Sequence, residues 1–230
     1  MFVRTMSNMT EAPQPMGFRA QMRELLSKEA VSLVAVTERS LPRFEQSLHE
    51  LSQQSAAEAG MLPMSGNAGE TPAEWLAGSK GLWLFGDKQA DFTDASNVSG
   101  FVNVYAPEHS GAINDWLLKR GMRAYDHGAV LEMSSFAKNE AGKAMELSAN
   151  KQALAKVFMD DAYKDVRAVT TWVTHTPDNK LDPAELAEMK KLGGWPLGSL
   201  KYHEGEAVDS TAFLITRRQF MDALTGVKRQ

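Results

Sequence analysis

Four of the five histidines in this 230-residue chain have a carboxylate as an immediate neighbour: His49–Glu50, Glu108–His109, Asp126–His127 and His203–Glu204. A free imidazole titrates near pH 6.5, at about neutrality, and a carboxylate beside it fixes its tautomer. Such pairs suit proton transfer or the holding of a divalent metal. The stretch A-Y-D-H-G-A-V-L-E-M, residues 124–133, places one pair just before an apolar run. Adjacent residues on a strand point to opposite faces, so Asp126 and His127 cooperate only if Gly128 turns the chain there. On that reading His127 is a general base, Asp126 orients it and Glu204 completes the group, while His109 and His203 hold a divalent metal. The condition is that turns far apart in sequence meet at one rim of a sheet. Without that meeting these are ordinary loop residues.

Other chemistry-bearing patterns are few. S-x-x-K occurs at Ser135–Lys138 and Ser148–Lys151, but neither S-D-N nor K-T-G accompanies it, so both read as serines beside solvated lysines. Asp160 and Asp161 are adjacent, about 100° apart on a helix, and form no single platform. The chain has no G-x-x-x-x-G-K-[ST], no G-x-G-x-x-G, no H-E-x-x-H and no G-x-S-x-G. Lys119 and Arg120 near Trp116, and Arg217 and Arg218 near Phe220, have the composition of a groove for single-stranded nucleic acid. A net charge of −4 and a pI of about 5.8 oppose it, because attraction to phosphates dominates such binding.

Composition sets the wider bounds. Hydrophobic residues make up 43% and charged residues 23%, the balance of a globular domain. With no cysteine there is no disulfide, no thiolate metal site and no cysteine nucleophile. The apolar run V-S-L-V-A-V, residues 31–36, falls far short of the roughly 20 residues of a membrane span. Residues 1–17 read as a polar, flexible leader without the apolar core of a Sec signal. A cytoplasmic location is expected, with export by a non-Sec route left open.

The elements that must position any site follow from periodicity. Residues 18–60 read as an N-terminal helical hairpin, its second helix carrying Phe44, Leu48 and Leu51 on one face. Residues 61–70 are breaker-rich and read as a linker, and residues 71–230 as an α+β core. Helix starts are written at T-P-A-E (71–74) and D-P-A-E (182–185), where a capping side chain precedes Pro. Helices also fit 112–120 and 150–163. Strands are expected at Leu82–Phe85, Phe101–Tyr105, Ala129–Met133, Val166–Val173 and Ala212–Thr216, with Met145–Leu147 as a sixth. Some neighbours are joined too tightly for parallel crossovers. The expected fold class is α+β: a mixed, largely antiparallel sheet packed with helices and preceded by the helical hairpin.

Three functions fit these residues. The leading expectation is a soluble regulatory or protein-interaction protein, docking a partner or a second copy through its N-terminal helices, since the 13 methionines suit adaptable contacts. The alternative is a hydrolase or transferase using the His/acid cluster at the strand ends, with or without metal. The third is an accessory nucleic-acid-binding module using Lys119, Arg120, Arg217 and Arg218.

Overall fold

Runs of β-branched and aromatic residues bounded by Gly, Pro or Asp become strands, and seven of them join in one sheet. The computed structural model describes residues 18–59, 71–107, 109–126, 128–201 and 208–227. In chain order the elements are α1 (Phe18–Ser27), β1 (Val31–Val36), α2 (Leu41–Ala59), α3 (Pro72–Gly78), β2 (Ser79–Asp87), β3 (Gly100–Tyr105), α4 (Ser110–Lys119), β4 (Val130–Ala137), α5 (Glu140–Met159), β5 (Ala168–Thr174), α6 (Pro183–Lys191), β6 (Trp195–Leu200), β7 (Ser210–Thr216) and α7 (Arg217–Thr225). The strand order is β1-β2-β3-β4-β5-β7-β6, and every neighbouring pair is antiparallel except β4 with β5. The fold is thus α+β with a mixed, largely antiparallel sheet, as expected.

Register assigns the side chains to two faces. Phe101, Asn103 and Tyr105 of β3 stand opposite Phe136, Ser134 and Glu132 of β4, and these six share what we term the upper face. Over its β1–β4 half lie α2 and α3, whose Phe44, Leu48, Leu51 and Trp75 pack with Leu84 and Phe101. The apolar stripe of α2 is therefore buried on the protein's own sheet, each Leu or Phe contributing about 1.5–3 kcal/mol. Over the other half lies α4, where Ile113 and Leu117 pack on Leu197, Ala212 and Leu214. The lower face carries α5 and α7, with Phe158 and Phe220 in ring contact at 5.7 Å. Gly198 on β6 makes room for α4, since a Cβ there would stand 2.7 Å from the Trp116 indole nitrogen.

Caps fall largely where the sequence wrote them. Thr71 and Glu74 form a reciprocal capping box on α3, and Asp182 accepts from the Ala184 N–H at the start of α6. Four elements differ from expectation. Residues 31–36, expected inside a helical hairpin, are β1 and pair with β2, so a strand separates α1 from α2 and the 18–59 segment is built into the same sheet. The β-branched valines outweigh a spacing that also fits a helix. Met145–Leu147, expected as a strand, lies inside α5, which starts ten residues before the expected 150. Asn139 caps that helix by accepting from the Gly142 N–H, and Gly142 is no turn residue: its missing Cβ admits the Ser99 carbonyl. The strand β6 and the helix α7 had no counterpart in the sequence reading. The expected leader and linker lie outside the described residues. Among the described residues no helix is long and apolar enough to cross a membrane.

Candidate active site

The parallel pair β4 and β5 stays in register only at Val130–Ala168, Leu131–Val169 and Glu132–Thr170. Beyond Glu132 each strand follows its other neighbour: β4 runs with β3 as far as Ala137, and β5 with β7 as far as Thr174. The sheet splits there, and a cleft of about 500 Å³ opens in it. Its walls come from both faces, with Ser134, Phe136 and Trp172 above and Ser135, Thr171 and Val173 below. The helices that follow the two strands, α5 and α6, flank its lower mouth.

Glu132 stands where the strands part. It is fully buried, and the Tyr105 hydroxyl donates to its Oε1 at 2.9 Å. A carboxylate taken out of water is costly to leave without a task, and this one lines the cleft. Above it His109, the residue preceding α4, meets the Trp172 ring edge-on at 5.5 Å, and Trp116 lies 6.0 Å from the same ring. The upper mouth is aromatic.

The lower mouth is acidic. Glu146 of α5 and Glu185 and Glu188 of α6 line it, with Lys143 as the cation among them. Burial pushes the Glu146 carboxyl above its ordinary range; a hydrogen bond from the Ser135 hydroxyl opposes this, Glu188 adds to it and Lys143 counters it. Loss of water on its cleft side also raises Glu185, with Asp182, Glu146 and Glu188 adding repulsion. Asn150 donates through Nδ2 to Ser135 Oγ at 3.1 Å.

The residues singled out from sequence are only partly brought here. His127, His203 and Glu204 lie outside the described residues. Asp126 lines a different cavity, of about 600 Å³, at the opposite end of β4 beside Tyr125, Tyr163 and Asp165. His109 is near the cleft, against Trp172; the one histidine without an acidic sequence neighbour, His175, is hydrogen-bonded to Thr211 at 2.7 Å and Asn179 at 3.2 Å. Among the described residues no three His, Asp or Glu gather as metal ligands. In both S-x-x-K motifs the serine donates to a carboxylate, Ser135 to Glu146 and Ser148 to Glu29, and not to the lysine three residues on. Lys119 and Arg120 end α4 on the upper face, while Arg217 and Arg218 begin α7 on the lower, so the four make no common groove. Glu132 was missed although it stands in the 124–133 stretch. The available signal was a lone carboxylate within an apolar strand, a residue type almost never fully buried unless paired.

No family model matches the chain, and no curated protein matches it in sequence. Solved structures do resemble it. The spermidine/spermine N-acetyltransferase SpeG from Vibrio cholerae, in complex with manganese ions, superposes with a TM-score of 0.51 at 16% identity, covering 89% of this chain and 99% of that one. A structure of glutamate-to-glutamine mutant forms of the same enzyme gives 0.54 at 14%, covering 84% and 97%. An uncharacterized protein from Bacillus halodurans gives 0.51 at 8%, covering 87% and 91%. At these identities the likeness is one of fold, that of the GNAT-like acetyltransferases. It corrects the leading expectation of a regulatory protein acting through its surface, since the structures of this fold that it resembles include ones described as N-acetyltransferases.

Proposed function

We propose that the cleft transfers an acyl group to an amine, with Glu132 as the group that takes the amine's proton. The carrying observation is the buried Glu132 carboxylate at the point where β4 and β5 part. An amine is protonated at neutral pH and has no lone pair to offer, so it must give up a proton before nitrogen can attack. Glu132 is an acceptor for that proton, and the Tyr105 hydroxyl holds it in place. The acids of the lower mouth attract the ammonium form from solvent. The shared fold with structures described as spermidine N-acetyltransferases supports the same reaction class.

Cellular acyl groups commonly travel as thioesters on phosphate-bearing carriers of the coenzyme A type. The residues at the lower mouth do not fit such a carrier. A phosphate wants free N–H groups at a helix start, yet at α5 the Gly142 N–H is taken by Asn139 Oδ1, and the Ser99 carbonyl crowds Gly142. Glu140, Glu146, Glu185 and Glu188 outnumber Lys143 there. The chain's own residues account for the acceptor half of the reaction: attraction, placement and deprotonation of the amine.

The test is an acylation assay with primary amines and two donors, acetyl-coenzyme A and a short phosphate-free acetyl thioester, read by mass spectrometry. Acetylated amine is expected, with turnover falling by about a hundredfold or more in Glu132→Gln, the scale of a lost general base. No product with either donor, or full turnover in the variant, would remove the proposal.

A further inference from the structure

A row of side chains crosses three strand ends on the lower face. Thr211 of β7 stands opposite Val173 of β5 and Ser199 of β6, and its hydroxyl lies 2.7 Å from the Ser199 hydroxyl and 2.7 Å from His175 Nε2. The turn T-P-D-N-K, residues 176–180, folds back so that Asn179 Oδ1 meets His175 Nδ1 at 3.2 Å. Asn179 holds φ at 60°, among the described residues the one non-glycine in the left-handed region, a conformation that asparagine tolerates.

Proton positions along this row follow from its far end. Asp209 gives its N–H to Asn179 Oδ1 at 2.9 Å and accepts from Asn179 Nδ2 at 3.2 Å, so the amide has one orientation. Lys201, and then Asn179, keep the Asp209 carboxyl below its ordinary range, as an acceptor. Asn179 thus offers His175 an oxygen, and Nδ1 must carry the proton. In the neutral ring Nε2 then accepts, Thr211 donates to it, and the Thr211 oxygen is left to accept from Ser199. Every hydrogen bond points the same way, from exposed Ser199 through buried Thr211 to the imidazole. A mere tie between strands needs no such direction. The backbone adds a second feature. The Asp209 carbonyl accepts from the His175 N–H, and the Arg217 N–H reaches the Arg167 carbonyl, so the odd-numbered residues of β7 turn their backbone toward β5. Ser199 and Thr211 are therefore a non-hydrogen-bonded pair, and the Ser199 N–H points to the outer edge of β6, where no described strand lies.

We infer that Ser199 is a nucleophile activated by His175 through Thr211, and that this edge of β6 is a second active site, which hydrolyses activated acyl compounds. Its chemistry is independent of the amine chemistry proposed for the cleft, which none of these three residues lines. The Ser199 oxygen bonds to the acyl carbon while its proton passes to Thr211 and the Thr211 proton passes to His175 Nε2. The acyl–sulfur or acyl–oxygen bond breaks, and the thiolate or phenolate leaves with the proton returned along the row. Water then adds to the acyl carbon, its proton following the same path, and a carboxylic acid departs from regenerated Ser199. The donor in place for the oxyanion is the Ser199 N–H, so the substrates within reach are those with good leaving groups, thioesters and aryl esters.

The test treats the full-length protein with a fluorophosphonate probe and, separately, with 4-nitrophenyl acetate. Peptide mass spectrometry locates the adduct and absorbance follows nitrophenol release. One adduct on Ser199 is expected, with ester hydrolysis above the solvent rate, and both should vanish in Ser199→Ala, a change at an exposed position that does not threaten the fold. Thr211→Val and His175→Gln should each slow both reactions by about a hundredfold, the scale of general-base assistance. Thr211→Ser, which restores the hydroxyl, should recover most of the rate, an outcome that a purely structural threonine would not produce. An unlabelled Ser199, or labelling that Thr211→Val or His175→Gln leaves at the native rate, would overturn the site.

Discussion

β4 has a cavity at each end, and the two bury different chemistry. At its start the strand is still in register with β5, and a cavity of about 600 Å³ lies among Tyr125, Tyr163, Ile113 and Val166. Burial raises both phenols there above their ordinary value of 10.0, and Asp160 adds to the effect at Tyr163. A phenol pushed upward stays neutral at working pH and gains no reactivity. At the other end the cavity is smaller, about 500 Å³, yet it holds a fully buried carboxylate and two glutamates displaced toward neutrality. A carboxyl pushed upward moves to where protons are exchanged. Size therefore does not rank the two cavities; burial shifts the groups of both upward, and what separates them is that the shift carries a phenol away from neutral pH and a carboxyl toward it.

The sharpest way to break this comparison is to neutralise one acid at each end. Glu132→Gln is expected to cut amine acylation by about a hundredfold to ten-thousandfold. Asp126→Asn, at the other cavity, should leave turnover within about twofold, because it removes no group from the cleft. Steady-state rates on both variants, with circular dichroism to confirm folding, decide it. Equal losses would mean that the chemistry is not confined to the Glu132 end of the strand.

The sequence pointed to the Asp126 end for a physical reason. Asp126 and His127 sit in a turn, where polar side chains announce themselves, whereas Glu132 hides in the apolar run A-V-L-E-M. The elements themselves were more legible. The apolar faces of β3 and β7 and the stripe of Phe44, Leu48 and Leu51 on α2 are local patterns, and they fold as their period dictates. The failures came where two periods fitted equally. V-S-L-V-A-V, with Met22, Leu25 and Leu26 before it, satisfies a helical spacing, and only its β-branched content and its pairing with β2 make it a strand. The acidic mouth was out of reach altogether. Glu146 and Glu185 meet only because β4 and β5 are parallel and each is followed by a helix on the same face, and no residue in either strand reports that pairing.

A smaller effect probes how tightly the cleft end is built. A Cβ on Gly142 would press into the Ser99 carbonyl oxygen, a backbone atom that cannot swing aside. Gly142→Ala is expected to cost about 1–3 kcal/mol by overpacking, whatever alanine gains in helix propensity. Gly111, in α4 beside the other cavity, has open space around its Cβ position, and Gly111→Ala should stabilise by up to about 1 kcal/mol. Urea melts of the two variants should move in opposite directions. Two melts displaced the same way would mean that the α5 start is not the rigid end.

The smallest effect expected is a pH dependence confined to the cleft end. The folded Glu146 carboxyl lies above its ordinary value of 4.5, chiefly through burial. The groups that face it are Ser135 on β4, Lys143 on its own helix, and Glu188 and Glu185 on α6. A carboxyl raised in the folded state contributes stability that is fully present below the unfolded value and is lost as pH rises through the folded one. Glu146→Gln keeps an acceptor for the Ser135 hydroxyl and removes the titration. Its melting temperature should thus exceed that of the native protein by a few degrees at pH 7.5, and the gap should close toward pH 4. A gap independent of pH would mean that the carboxyl is already ionised without penalty, and the lower mouth would then be an ordinary solvated surface.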